Sequence, residues 1–106
     1  MIPEIDIDEF AARREAGAAV LDVREPSEYA EAHVPGAWSI PLGELEARAA
    51  EIPSGAPLLV ICRSGACSMR ACEWLATTGR EATNVTGGTL AWISSGRSVA
   101  TGDERG

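Results

Sequence analysis

The chain has no lysine, one histidine and three cysteines among 106 residues, and no apolar run approaches the length of a membrane span. Its first residues, Met1-Ile2-Pro3-Glu4-Ile5-Asp6, lack the basic and apolar regions of a secretion signal. A cytoplasmic protein is therefore expected. Three is an odd number of cysteines, in a chain long enough for one modest core, so reduced thiols are expected rather than a disulfide framework. With lysine absent, every cationic side chain is arginine. Nine arginines face sixteen carboxylates, a net charge of −7, which makes nucleic acid and anionic membrane poor partners. The imbalance is uneven. Residues 1–51 hold twelve carboxylates and four arginines, whereas residues 52–106 hold four and five. An anionic substrate would meet less repulsion in the second half.

What is present reads as one globular domain over residues 1–106, with a polar C-terminal tail at 97–106. Asp6 caps a helix that runs to about Glu15 and stops before Gly17. Ala18 to Val23 is a short apolar run suited to a buried parallel strand. Pro26 starts a helix over Ser27 to Ala32, and Val34-Pro35-Gly36 is a turn. Ala37 to Ile40 is a short strand, Leu42 to Ile52 is helical by pattern, and Pro53 to Pro57 is a loop. Leu58 to Ile61 is the clearest strand. A helix follows, with Ala71, Cys72 and Leu75 on one face. Glu81 to Val85 gives a last strand and Gly87 to Ser95 a last helix. Strands alternating with helices predict an α/β fold with a parallel sheet covered on both faces. In such sheets ligands bind beyond the C-terminal ends of the strands, and Cys62 directly follows one.

The stretch Cys62-Arg63-Ser64-Gly65-Ala66-Cys67-Ser68 holds what a reactive thiol requires. A thiol is nucleophilic only as thiolate, and a helix N-terminus with a nearby cation favours that form. Ser64, Gly65 and Ala66 are small enough for the backbone to curl and aim several N–H groups at one centre. The helix beginning near Cys67 or Ser68 adds its positive end, and Arg63 adds a forked donor suited to an oxyanion. A lone cysteine after an apolar run is more often a packed core residue; the small-residue loop and the adjoining arginine reverse that preference.

Four motifs in order resemble the rhodanese-like sulfurtransferase domain family over nearly the whole chain. They are Leu21-Asp22-Val23-Arg24-Glu25-Pro26 with Glu28-Tyr29; Ala32-His33-Val34-Pro35-Gly36-Ala37 with Ile40-Pro41; Cys62-Arg63-Ser64-Gly65; and Gly87-Gly88 with Ala91-Trp92. The resemblance implies a central parallel five-stranded sheet flanked by helices on both faces. It implies that Cys62 takes a sulfane sulfur from thiosulfate or another small donor, holds it as a persulfide, and passes it to cyanide, a thiol or a protein acceptor, with no metal or organic cofactor. Cys62 would be catalytic, and Arg63, Ser64, Gly65, Ala66, Cys67 and Ser68 would bind substrate. One departure stands out. The sixth loop position is usually arginine in this version of the loop, and here it is Cys67, which puts thiosulfate as donor in question. Arg70, one turn into the helix, is a candidate replacement cation. Cys67 also keeps open an alternative: a binding or redox-sensing module built on a Cys62/Cys67 thiol pair.

Other residues fit structural roles better. His33 reads as packing the turn that follows it, because the loop activates the thiol without a base. Asp22 and Arg24 point to one face of the strand end and read as scaffold. Cys72 and Trp92 read as core. Cys62, Cys67, Cys72 and His33 have zinc-ligand types, but the Cys-x4-Cys-x4-Cys spacing is not that of common structural sites. A cysteine phosphatase loop needs arginine where Ser68 stands.

Overall fold

A computed structural model of the chain describes residues 1–55 and 57–106. Ala56, part of the expected Pro53–Pro57 loop, lies outside the described residues. Five strands form one parallel sheet: β1 (Glu4–Ile5), β2 (Val20–Asp22), β3 (Trp38–Ser39), β4 (Leu58–Ile61) and β5 (Ala82–Val85). Their order across the sheet is β1-β5-β4-β2-β3. Three helices lie between strands, α1 (Ile7–Glu15), α2 (Pro26–Glu31) and α3 (Ala66–Thr77), and a fourth, α4 (Gly88–Ser94), follows β5. No helix among the described residues is long and apolar enough to cross a membrane.

The alternation of side chains along β4 decides where each helix packs. Leu58, Val60 and Cys62 face a cluster completed by Leu21, Val23, Leu45, Ala71, Cys72 and Leu75. Leu59 and Ile61 face a second cluster with Phe10, Tyr29, Val34, Val85 and Trp92. The first cluster is roofed by α3. The second is covered by α1, α2 and α4. Because β4 is central and all four of its residues are buried, its end fixes the height at which Cys62 emerges, on the α3 side.

The local signals act much as the sequence predicts. Asp6 Oδ1 accepts the Glu9 N–H at 2.9 Å, ahead of the first turn of α1. Pro26 opens α2, and Trp92 packs edge-on against Phe10 with ring centroids 5.5 Å apart. One reading is corrected. The stretch Leu42 to Ile52 is not one helix but two single 3-10 turns, Leu42–Glu44 and Ala49–Glu51. It buries only Leu45 and Ile52, too narrow a stripe to hold an α-helix against the sheet, and Gly43 weakens helix near its start. The first strand, Glu4–Ile5, has no local signal in the sequence. It is two residues long and exists only through its pairing with Asn84 and Val85.

The polar tail is tied down rather than loose. His33 and Ala100 form an antiparallel bridge. The His33 ring is fully buried and stacks on Tyr29 with ring centroids 3.6 Å apart. Its Nδ1 lies 2.7 Å from the Tyr29 carbonyl oxygen and its Nε2 2.8 Å from that of Glu104. The Arg105 guanidinium lies over the Trp38 ring at 3.7 Å. This gives His33 its packing role and extends it to a clasp between the turn and the tail. Removing the ring leaves the Tyr29 and Glu104 carbonyls without their partner and opens a void beneath the tail. His33→Ala is therefore expected to lower stability by about 2–4 kcal/mol. Chemical denaturation measures that loss, and limited proteolysis should cut first within residues 98–106.

Candidate functional site

The loop from Cys62 to Ala66 joins the end of β4 to the start of α3. Its backbone is held from the opposite side of the sheet. The Cys62 carbonyl accepts both the Thr89 N–H at 2.8 Å and the Thr89 hydroxyl at 3.1 Å, and the Arg63 carbonyl accepts the Leu90 N–H at 3.1 Å. The first turn of α4 thus grips two consecutive loop carbonyls. This grip explains the glycine at 88. A Cβ on Gly88, which has φ +56°, would stand 2.6 Å from the Arg63 carbonyl oxygen and closer still to that of Cys62. Gly65 caps α3 with φ +115°, a backbone setting that suits glycine, and α3 begins one residue earlier than expected, at Ala66.

The curled loop turns its N–H groups toward the Cys62 sulfur. The Gly65 N–H lies 3.1 Å from Sγ. Burial pushes the Cys62 thiol up, but hydrogen bonds from the Ser68 side chain and from the backbone N–H groups of Ser68, Gly65 and Ser64 oppose it, and together they hold the thiol below its ordinary value. Cys72 provides the contrast. It lies in the same core cluster, and burial, followed by the nearby Cys62, Glu73 and Glu4 charges, pushes its thiol up to about 12. It is an inert core thiol, as its helix position suggests.

Ser68 is fully buried, and its one hydroxyl proton is shared among the Cys62 sulfur, the Asn84 side-chain carbonyl on β5 and, at 3.2 Å, the Gly65 carbonyl. The Asn84 amide donates in turn to Glu4 at 3.0 Å and to the Gly65 carbonyl at 3.2 Å. Asn84 and Glu4 carry no sequence signal for this role. They are reached only because β1 and β5 sit beside β4.

Cys62, Arg63, Ser64, Ala66 and Cys67 line one pocket of about 450 Å³. Its other walls are Val23 and Arg24 from the end of β2, Glu25 and Glu28 from the start of α2, and Leu42 and Gly43 from the first 3-10 turn. Gly65 and Ser68 lie behind the sulfur rather than in the pocket wall. Arg24 is not free to meet a ligand. Its guanidinium pairs with the fully buried Asp22 at 2.9 Å and donates to the carbonyls of Glu28 and Ala32, which fits the scaffold reading of both residues. Arg63 is exposed, and among the described residues no carboxylate lies within ion-pair distance of it. Arg70 is exposed on α3 and outside the pocket, so it does not take the place that Cys67 leaves without a cation. His33 lies in the tail clasp, away from the loop. Among the described residues no three His, Cys, Asp or Glu side chains are grouped to hold a metal ion.

A thiol whose thiolate form is favoured, set in a nest at the C-terminal rim of a parallel sheet, is the arrangement a nucleophilic cysteine needs. Comparison with known proteins narrows this. A family model described as "Rhodanese-like domain" matches residues 6–95, and the chain belongs to that family. A protein named "Sulfurtransferase" from Allochromatium vinosum is 35% identical over 99 residues, covering 91% of this chain and 92% of the relative. YrkF of Bacillus subtilis is 38% identical over 86% of this chain, but the chain spans only 51% of its length. Among solved structures, a rhodanese-related protein from Thermoplasma volcanium superposes with a TM-score of 0.84 at 31% identity, covering 92% of this chain and 97% of that one.

Two outcomes follow from the loop geometry. Ser68 is among the donors that favour the thiolate, so Ser68→Ala should raise the Cys62 pKa. Alkylation by iodoacetamide, followed by peptide mass, should then slow at neutral pH and recover at alkaline pH. Cys72 should stay unlabelled in the folded protein throughout. Gly88→Ala should destabilise the fold by about 2 kcal/mol or more, since a left-handed backbone and a backbone clash add; its alkylation profile should move toward that of an ordinary thiol as the loop shifts.

Proposed function

We propose that this chain is a sulfurtransferase that carries sulfane sulfur as a persulfide on Cys62. The donor is thiosulfate or another small sulfane compound, and the acceptor is cyanide, a low-molecular-weight thiol or a thiol on a partner protein. The observation that carries the reading is the Cys62 thiol, held below its ordinary pKa by hydrogen bonds that outweigh burial, at the floor of an open pocket. Membership of a family whose relatives include a named sulfurtransferase supports it.

In the first half-reaction the Cys62 thiolate attacks the sulfane sulfur of the donor. A new S–S bond forms on Cys62, the donor's own bond to that sulfur breaks, and its electron pair leaves with sulfite or a thiolate. Cys62 Sγ then stays in the nest as the inner sulfur, and the charged outer sulfur extends from it into the pocket, where the N–H groups of the loop stabilise its charge. In the second half-reaction the acceptor attacks the outer sulfur, and Cys62 leaves as thiolate. The nest serves both halves because the leaving group of the second is the nucleophile of the first. Arg63 is the pocket cation that meets an anionic donor. The Cys62/Cys67 sensing alternative has less behind it. Cys67 is exposed at the pocket edge while Cys62 is buried, and the named relative points to transfer.

Cys62→Ser should keep the fold and abolish sulfur loading. Intact mass after incubation with a sulfane donor should show one added sulfur on the parent protein and none on the variant. Full turnover by Cys62→Ser would refute the assignment, and loading on Cys67 would move it.

A further inference from the structure

The pocket above Cys62 has an unusual charge pattern for a site that would take a dianion. Arg24 is neutralised by Asp22 at 2.9 Å. Cys67 is uncharged, and Arg70 stays outside. Among the described residues that leaves one unpaired cation, Arg63, in a pocket that two carboxylates, Glu25 and Glu28 from the start of α2, also line. The two are brought together by the start of α2, where Glu28 Oε1 accepts the Glu25 N–H at 3.2 Å. Between the charges the wall is apolar or small, formed by Val23, Leu42 and Ala66.

We propose that the pocket selects a small persulfide bearing both a carboxylate and an ammonium group, such as cysteine persulfide, over thiosulfate. Arg63 takes the carboxylate, Glu25 and Glu28 take the ammonium, and the outer sulfur reaches Cys62. This rests on the sulfur-transfer reading and names the donor class for it. Thiosulfate would bring two negative charges into a pocket whose own unpaired charges sum to −1, whereas a zwitterion meets a complement at each end. A volume of about 450 Å³ accommodates an amino acid with room for a larger γ-linked peptide. The step balances without an added oxidant. The Cys62 thiolate attacks the outer sulfur of R–S–SH, the inner S–S bond breaks, R–S⁻ leaves with the electron pair, and the proton stays with the transferred sulfur. Cys62 becomes Cys62–S–SH, and free cysteine is the product.

Three donors and one double variant test this. The donors are cysteine persulfide, the persulfide of 3-mercaptopropionate, which has the carboxylate but no ammonium, and thiosulfate. The variant Glu25→Gln/Glu28→Gln keeps an acceptor for the Glu25 N–H while removing both charges. In the parent protein kcat/KM should favour cysteine persulfide over the ammonium-free persulfide by about fivefold, the scale of two solvent-facing ion pairs. The double variant should bring that ratio close to one and raise kcat/KM for thiosulfate. Rising salt should shrink the parent ratio as the charges are screened. An unchanged ratio in the double variant, or a parent protein that prefers thiosulfate, overturns the donor class while leaving sulfur transfer standing. Absence of sulfur on Cys62 with all three donors overturns the transfer reading itself, and this inference with it.

Discussion

The hold of α4 on the carbonyls of Cys62 and Arg63 is the constraint on which the rest of the site depends. Those two carbonyls point away from the pocket, into the N–H groups of Thr89 and Leu90. A peptide unit whose carbonyl points one way sends its N–H the other way, so anchoring the carbonyls below the loop helps turn the following N–H groups toward the sulfur. The Gly87-Gly88 pair, remote in sequence, therefore belongs to the cysteine loop in physical terms. At Gly88 it leaves out the Cβ that would hold the two segments apart, and at Gly87 the one that would meet the Ala91 side chain. Thr89 adds its hydroxyl to the same Cys62 carbonyl at 3.1 Å, which doubles the hold at the residue where displacement matters most.

Cys62 and Cys72 share one core cluster on one face of the sheet, and they differ in what surrounds the sulfur. Burial acts on both in the same direction, against the charged form. At Cys72 nothing offsets it, and neighbouring charges add to it. At Cys62 a set of N–H and O–H donors reverses it. The difference of chemistry within one cluster is therefore a difference of backbone direction. Beyond the helix N-terminus, an αL glycine at 65 lets the chain double back over its own cysteine.

The central strands, α1, α3 and the cysteine loop were legible in the sequence because each rests on neighbours a few residues apart. The apolar run Leu58 to Ile61 needs only its own composition to read as a buried strand, and Asp6 needs only Glu9. What was not legible depends on distant partners. The strand Glu4–Ile5 is defined by Asn84 and Val85, and the tail is held by the His33 ring through a carbonyl near the end of the chain. A local rule gave the wrong element between Leu42 and Ile52. The stretch has residues that suit helix, but only two buried apolar side chains to anchor it, so tertiary packing settled on two separate turns. The pocket itself was half legible. Its floor is a contiguous motif, whereas the wall carrying Glu25, Glu28, Leu42 and Gly43 is assembled by β2 and β3 lying beyond β4 in the sheet order.

That assembly leaves the pocket short of cations. Had Arg24 been free, it would have supplied a second cation beside Arg63 in that pocket. The buried Asp22 prevents this. A carboxylate with no exposure must keep a cation, because an unpaired buried charge is far more unfavourable than a surface one. Arg24 is therefore committed to holding the end of β2 against α2, where it also satisfies the carbonyls of Glu28 and Ala32. The structural demand at the strand end removes one cation from the pocket, and Cys67, which also lines it, supplies none. Arg63 is left to set the positive side of the site, against carboxylates that α2 places there as part of its own capping.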